Sequence, residues 1–361
     1  MQSFGTIKRI GAKVARMTGL NTGSQQVLAY GRALAGEGRY LDAIDYATTK
    51  NRRLRDAAVD RQIVIWRHDA FAAIPHSAGR PDWPPNIPDQ FPTVPGVPEI
   101  HGAQALSSER LGGAIQHHGG LIVRGFLVPQ ETEAFVRGID KALAAQARFN
   151  EGQAESDDAC WYTPFPAEAG SRIRHFQRIA QMDSGVLTAD SPRNLANVVA
   201  MMRAKGVDSA IEGYLGERPA LSIGKSTLRR VPPRESSGDW HQDGAFLGET
   251  IRTVNFWLCL SHCGQEASGL GMVPRRIARV VETGTHGAYF NWSVGHDLAI
   301  ELAEGRSIAS PVFEPGDAVF FDQLFLHRTE GRPGFTKPRY AIESWFFAPS
   351  TYPKDWGPLV V

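Results

Sequence analysis

Two short segments in the second half of the chain contain side chains that bind transition metals. The first is His241-Gln242-Asp243, in which an imidazole and a carboxylate stand two positions apart. Residues two apart on an extended strand point to the same face, so both groups would reach one point. The second segment ends in His327, 86 residues further along. Two histidines and one carboxylate form the ligand set that suits non-haem Fe(II) and leaves coordination positions open.

Each of these signals, taken alone, also has an ordinary explanation. A His-x-Asp pair arises by chance in chains of this composition. A lone histidine after an apolar strand, such as His327, is usually a hydrogen-bonded core residue. Arg339 stands 12 residues later in an otherwise apolar segment. A buried guanidinium there needs an anion and is the natural bidentate partner of a carboxylate, but an edge-strand arginine with its head in water remains open.

The order of these residues resembles the iron(II)/2-oxoglutarate dioxygenases, and the local sequence narrows the resemblance to the phytanoyl-CoA dioxygenase family. The segment WHQDGAFL, residues 240–247, is similar to that family's His-Gln-Asp segment. The segment TVNFW, residues 253–257, resembles its strand with a co-substrate tryptophan, and residues 316–327 resemble its second metal segment.

The resemblance is good over about 219–348, weaker over 101–145, and does not extend to residues 1–98. The family usually has Pro-Gly-Ser-His after its glycine-rich turn. This chain departs from that pattern, because Pro274 is followed by Arg275-Arg276-Ile277.

Carried over residue by residue, the resemblance implies an Fe(II) site at His241, Asp243 and His327, with Arg339 on the distal carboxylate of 2-oxoglutarate. Further co-substrate residues implied are Thr329, Trp257, Asn255 and Lys225. The implied activity is oxidation of a small organic molecule by O2, with release of succinate and CO2. Hydroxylation is the default outcome and is favoured over halogenation, because Asp243 is present where related halogenases have a small residue. Desaturation, epimerisation and ring formation use the same ligands and stay open.

Two other functions remain open. One is a cupin-like metalloenzyme that does not use 2-oxoglutarate, although such an enzyme has no need of Arg339 as a carboxylate clamp. The other is a non-enzymatic scaffold with a relic metal site. A relic would be expected to have lost one of the three ligands or Arg339.

Four basic residues, Arg172, Arg174, His175 and Arg178, lie close together in the first half of the chain. Their spacing is typical of a solvated helix face. The alternative is a clamp for an anionic substrate.

Short strands separated by turns must position the predicted ligands. Candidate strands are 220–229, 251–260, 310–313, 317–321, 324–328 and 338–347. Helical patterns dominate the first half, so we predict a mainly β fold with flanking helices (α+β). Its core is a double-stranded β-helix, or jelly roll, with an N-terminal helical arm.

The predicted domains are a helical arm (1–74), a proline-rich linker or strap (75–100) and a dioxygenase domain (101–361). Eight prolines fall between Pro75 and Pro98. Each removes a backbone donor, so neither a helix nor a central strand should persist there.

Composition excludes several classes of protein. The net charge of +1 provides no basic excess for general nucleic-acid binding. No apolar run approaches the roughly 18 residues that span a bilayer, so we expect no integral membrane association. Three cysteines in 361 residues favour a reducing, cytoplasmic setting. A small-molecule substrate is the expected partner, and the oligomeric state stays open.

Overall fold

The computed structural model describes residues 23–352 and 354–361. The predicted fold class, a jelly-roll core with flanking helices and N-terminal helices, is confirmed. Helices make up 41% of the structure and strands 17%, so the flanking helices outweigh the sheet in residue number. Residues 1–22 of the predicted arm lie outside the described residues.

The α-helices of the described part are α1 (Gly23–Gly36), α2 (Tyr40–Leu54), α3 (Ala57–Ala73), α4 (Ser108–His118), α5 (Pro129–Asn150), α6 (Arg172–Met182), α7 (Pro192–Ala204), α8 (Val207–Leu215), α9 (Gly244–Leu247) and α10 (His296–Leu302). The strands are β1 (Glu99–His101), β2 (Gly120–Arg124), β3 (Gly185–Leu187), β4 (Ala220–Ser222), β5 (Thr227–Val231), β6 (Thr253–Cys259), β7 (Gly269–Met272), β8 (Ala318–Phe321), β9 (His327–Glu330), β10 (Arg339–Phe347) and β11 (Pro358–Val360). Among the described residues, no helix is both long enough and apolar enough to cross a membrane.

Helices α1 to α3 form a small apolar cluster that packs on the rest of the chain through α3, β11 and α7. Asp56 is the N-cap of helix α3. Its carboxylate accepts hydrogen bonds from the backbone N–H groups of Ala58 and Val59. A buried polar network fastens α3 to α7. Arg193 Nε donates to Asp60 Oδ2 at 2.5 Å, and Asn51 donates to the other oxygen of Asp60 at 2.5 Å.

The proline-rich segment between α3 and β1 contains no helix or strand and lies against the core. The ring of Trp83 packs against Tyr214, with centroids 5.3 Å apart. His118 on α4 contacts the carboxylate of Asp89 at 3.1 Å. These contacts hold the segment along the outside of α4 and α8.

Two facing sheets build the jelly roll. The large sheet has the order β1-β2-β8-β6-β10-β4-β11, and β5 pairs with β10 and with β3. The small sheet consists of β7 and β9, and single antiparallel bridges widen it at His241–His327 and Trp240–Val294. Apolar side chains of both sheets share one buried cluster.

Alternation along β6 separates the two faces of the large sheet. Val254, Phe256 and Leu258 belong to the main apolar cluster with the helices. Trp257 and Cys259 face the small sheet. Because side chains alternate along a strand, one run of seven buried residues supplies both the helix-packed core and the lining of the site.

The predicted strand 220–229 is divided, with residues 223–226 forming a turn between β4 and β5. Gly224 lies so close to Phe176 that a Cβ on it would meet that ring at 2.3 Å. The predicted strand 310–313 is wrong, since Phe313 makes only a single bridge to Cys263.

We expect Asp60→Ala to lower the free energy of unfolding by about 3–5 kcal/mol, because it leaves Arg193 buried without its carboxylate. Urea denaturation of the purified protein measures the change. The matched control is Asp42→Ala, which removes an ion pair between Arg39 and Asp42. The Asp42 side chain is 56% exposed. That control should change stability by less than about 1 kcal/mol. Equal effects of the two variants would contradict a structural role for the buried network.

Candidate metal centre

The two predicted histidine ligands are joined through their backbones. His241 N donates to His327 O at 2.9 Å, and His327 N donates to His241 O at 3.1 Å. This antiparallel pair brings the ring centroids within 4.4 Å of each other. Residues far apart in the chain therefore lie side by side on the small sheet.

The ligand-type atoms of His241, Asp243 and His327 all lie within 4.8 Å of one another. Nδ1 of His241 lies 3.0 Å from Asp239 O, and Nδ1 of His327 lies 2.9 Å from Phe325 O. A protonated Nδ1 donating to each carbonyl leaves both Nε2 lone pairs free for a metal.

The carboxylate of Asp243 is oriented by one hydrogen bond. Asn255 Nδ2 donates to Asp243 Oδ2 at 2.5 Å, and Asp243 Oδ1 lies 3.9 Å from Nε2 of His241. One oxygen is therefore held by the protein while the other faces the imidazoles. The predicted role of Asn255 as a co-substrate residue stays a prediction, and its observed contact is with the ligand.

Burial sets the protonation of this cluster. It lowers the pKa of His327 to about 3, with a further contribution from neighbouring His241, and it lowers the pKa of His241. Both rings are thus neutral near pH 7, the form that binds metal. Burial raises the pKa of Asp243 to about 7, opposed by Lys225 and the Asn255 bond. A dication that binds there displaces a proton from the metal-free carboxyl.

Gln242, between the two ligands, points away from them and ties loops together. Its Nε2 donates to Leu324 O at 2.6 Å and to Arg279 O at 3.1 Å, and its Oε1 accepts from Val281 N at 2.8 Å. Leu324 lies three residues before His327, so this amide fixes the approach to the second histidine. Sequence reasoning gave Gln242 no role, although alternation on an extended segment predicts that it faces away from the ligands.

The structure brings Thr329 and Arg339 together. Thr329 lies on β9, two residues after His327, and Arg339 is the first residue of β10. Arg339 Nη1 donates to Thr329 Oγ1 at 3.3 Å. Among the described residues, the buried Nε of Arg339 and the buried Nε1 of Trp257 have no hydrogen-bond partner. Two buried donors without acceptors are the expected state of a site for an anion.

A partly buried ion pair that the sequence did not reveal lines the same face. Arg229 Nε lies 2.8 Å from a carboxylate oxygen of Glu343 in an ion pair, and Glu343 also accepts from Thr227 Oγ1 at 2.9 Å. Although burial by itself raises its pKa, the charges of Arg229 and Arg339 hold the pKa of Glu343 at about 2. The available signal was the even spacing of Arg339, Glu343 and the apolar residues between them, which puts both charges on one face of a predicted strand.

Lys225 lies apart from Arg339. Its Nζ stands 4.5 Å from the ring centre of Phe246 and 4.9 Å from that of Trp345. Burial lowers its pKa, and the charge of Asp243 opposes the shift. Trp345 is six residues from Arg339 on β10, which corresponds to about 20 Å along a strand. The predicted contact of Lys225 with the co-substrate stays a prediction.

A cavity of about 1140 Å³ lies along α6, away from the three ligands. Its lining includes the basic residues Arg172, Arg174, His175 and Arg178. All four are exposed. This agrees with the solvated helix face that their spacing suggested.

Comparison with known proteins identifies one family. The family model for phytanoyl-CoA dioxygenase (PhyH) matches residues 115–332, which is more than half of the chain and includes the three ligands. Arg339 lies just beyond the matched range. No curated protein sequence matches the chain.

Several solved structures resemble the chain at low identity. EctD from S. alaskensis in its apoform is 20% identical, with a TM-score of 0.46, over 77% of this chain and 87% of that one. The α-ketoglutarate-dependent carbocyclase SnoK from nogalamycin biosynthesis is 15% identical, with a TM-score of 0.43. The match covers 68% of this chain and 85% of SnoK. The epimerase SnoN, in complex with Fe3+ and α-ketoglutarate, is 16% identical, with a TM-score of 0.41. The match covers 66% of this chain and 83% of SnoN.

We expect Asn255→Ala to weaken Fe(II) binding by about 10- to 100-fold, because the carboxylate of Asp243 loses the donor that orients it. Anaerobic competition with a chromophoric chelator measures the affinity. The matched control is Asn291→Ala, an exposed asparagine in the loop before α10. An unchanged affinity in folded Asn255→Ala would show that Asp243 does not depend on this bond.

Proposed function

Since the chain belongs to the phytanoyl-CoA dioxygenase family, we propose that it hydroxylates a small organic molecule. Enzymes of this family depend on Fe(II) and 2-oxoglutarate and use O2. The observation that carries the proposal is the pairing of an open three-ligand cluster with a buried arginine whose donors are not all satisfied. The first suits iron, and the second suits the far carboxylate of 2-oxoglutarate.

We assign the metal to His241, Asp243 and His327. The donor set fits, because both imidazoles are held with Nε2 free and one carboxylate oxygen is left unbonded. Two neutral nitrogens and one oxygen suit Fe(II) and leave positions for other ligands. Asn255 and the carbonyls of Asp239 and Phe325 keep these side chains in place.

We assign the distal carboxylate of 2-oxoglutarate to Arg339 and Thr329, with the indole Nε1 of Trp257 as a further donor. The unsatisfied buried donors described above support this assignment. A guanidinium that binds a carboxylate in a buried site does so through short, charge-assisted bonds. Glu343 forms its ion pair with Arg229, whereas Arg339 forms none among the described residues, so Arg339 remains available to an anion from outside the protein.

When iron, 2-oxoglutarate and O2 are bound, they supply the oxidant, and the balanced reaction yields hydroxylated substrate, succinate and CO2. The chain's own residues hold the ligands, orient the co-substrate and exclude water. The buried rings of Phe321 and Phe325 lie against the ring of His327, with centroids 4.6 Å and 6.2 Å from it. We propose hydroxylation over halogenation because Asp243 fills the position that a halide would need.

The two alternatives fit these observations less well. A metalloenzyme that does not use 2-oxoglutarate leaves the buried donors of Arg339 and Trp257 without a purpose. A scaffold with a relic site gives no reason for the retained hydrogen bonds to all three ligands. The proposal includes a reducing, cytoplasmic setting, which is supported by the low cysteine count.

Anaerobic addition of Fe(II) and then 2-oxoglutarate should produce a visible charge-transfer band that needs both additions. We expect His241→Ala to abolish iron binding. We expect Arg339→Ala to keep iron but to weaken 2-oxoglutarate binding by roughly two to four decades, which corresponds to the loss of about 3–5 kcal/mol from a buried charge pair.

The matched control is Arg306→Ala, since the Arg306 side chain is 45% exposed. It should leave both affinities unchanged. Iron binding without the band would favour a metalloenzyme that does not use 2-oxoglutarate. No metal binding in folded protein would favour the scaffold.

Trp257→Phe tests the indole donor separately, because it keeps a ring in the core and removes only Nε1–H. We expect 2-oxoglutarate affinity to fall about 3- to 10-fold through the loss of one hydrogen bond, with iron affinity unchanged. Titration of the charge-transfer band gives both values. An unchanged 2-oxoglutarate affinity would remove Trp257 from the co-substrate site.

A further inference from the structure

A continuous row of aromatic side chains leads from the protein surface to the metal ligands. Tyr289 is 81% exposed and Phe290 45% exposed. The ring of Phe290 stacks on that of Trp292 at 4.9 Å, and Trp292 meets His241 edge-on at 5.8 Å. Phe246 continues the row from Trp292 at 6.0 Å. We call Tyr289, Phe290, Trp292 and Phe246 the aromatic wall.

The wall is fixed to the strand segment that carries His241. Asp239 Oδ2 accepts from Tyr289 N at 2.9 Å and from Ser293 Oγ at 2.6 Å. Val294 forms a backbone bridge with Trp240. The loop that presents Tyr289, Phe290 and Trp292 is therefore held to the segment of His241 at both of its ends, although its outer rings face water. Large exposed rings in a fixed loop are typical of a binding surface.

Lys225 ends the row with a positive charge. Its Nζ lies over the ring of Phe246. That ring stacks on the ring of Trp345, with centroids 6.2 Å apart and an interplanar angle of 18°. In the described part of the chain, Lys225 forms no ion pair or hydrogen bond. Its Nζ contacts the faces of aromatic rings, which stabilise a cation without neutralising it.

The other charges of the site balance without Lys225. Arg229 pairs with Glu343 at 2.8 Å, and its longer contact at 3.8 Å is with Asp183, whose side chain is 49% exposed and so is solvated. Asp243 offsets one charge of a bound Fe(II), and the two carboxylates of 2-oxoglutarate offset the remaining charge and Arg339. An anionic group on the primary substrate would complete the balance at Lys225.

We propose that the aromatic wall and Lys225 bind the primary substrate, and that this substrate is a planar aromatic molecule bearing a carboxylate or similar anionic oxygen. The inference rests on the proposed function, because it places the substrate beside the assigned iron ligands. The flat ring stacks along Trp292 and Phe246, where aromatic faces and edges are complementary. The anionic oxygen pairs with Lys225 and so orients the ring against the metal.

The test is calorimetric titration of the protein with 2-naphthoate, in metal-free form and after anaerobic loading with Fe(II) and 2-oxoglutarate. Two comparison probes are 2-naphthylmethanol, which lacks the charge, and decanoate, which lacks the rings. We expect 2-naphthoate to bind at least about tenfold more tightly than either probe. The charge-transfer band, recorded on the same loaded sample, reports the proposed function independently.

Variants separate the two parts of the site. We expect Lys225→Met to weaken 2-naphthoate binding about 10- to 100-fold and 2-naphthylmethanol binding less than about threefold. We expect Trp292→Leu to weaken both naphthalene probes about 3- to 10-fold. Matched controls are Lys337→Met, whose side chain is 62% exposed, and Phe149→Leu, which is 48% exposed. Neither should change probe binding.

Several results would overturn the inference while leaving the proposed function intact. One is a normal charge-transfer band with no binding of 2-naphthoate, or with decanoate bound more tightly. Another is a weaker affinity for 2-oxoglutarate in Lys225→Met with probe binding unchanged, which would return Lys225 to the co-substrate. A third is loss of 2-naphthoate binding in Arg178→Met instead, which would place the anion in the cavity along α6.

Discussion

The site depends on one pair of backbone hydrogen bonds, between His241 and His327. A non-local antiparallel bridge fixes these two residues opposite each other. The two imidazoles therefore lie on the same side of the small sheet, with their ring centroids 4.4 Å apart. The other parts of the site follow from this bridge. Asp243 is two residues beyond one histidine and Thr329 two beyond the other, so alternation brings both to the same interior. Gln242, between His241 and Asp243, then points away from the metal site. Its buried amide holds the loop that precedes His327.

Alternation on the large sheet has a similar consequence for the whole fold. The outward residues of β6 and β10 join the helices in the main apolar core. The inward residues include Asn255, Trp257, Arg339 and Glu343, so polar groups stand inside the jelly roll. A buried charge is tolerated only when it is paired or awaits a ligand. Glu343 has Arg229, whereas Arg339 keeps a donor free, and this difference is the reason that we propose an anion site at Arg339.

The structure divides the positive charges of the interior between two ends of β10. Arg339 lies at the start of the strand with Thr329, and Lys225 lies over Trp345 near its other end. Lys225 lies beside Trp345, and Arg339 is six residues earlier on β10, so about 20 Å of strand separates the two backbone positions. We therefore place the proposed co-substrate at the Arg339 end of β10 and the proposed substrate at the Lys225 end, with the aromatic wall on the substrate side.

From the sequence alone came the fold class, the metal triad as a hypothesis and the resemblance to the family, because ligand spacing and strand alternation are local features. It also placed Arg339 on the correct strand. It did not reveal the Arg229–Glu343 pair, the role of Gln242 or the separation of Lys225 from Arg339. Those depend on which strands become neighbours, and pairing β10 with both β5 and β6 is decided by burial across the whole sheet. The aromatic wall also depends on tertiary structure. Asp239 anchors the loop of Tyr289, Phe290 and Trp292 beside His241, and this brings Trp292 into contact with Phe246.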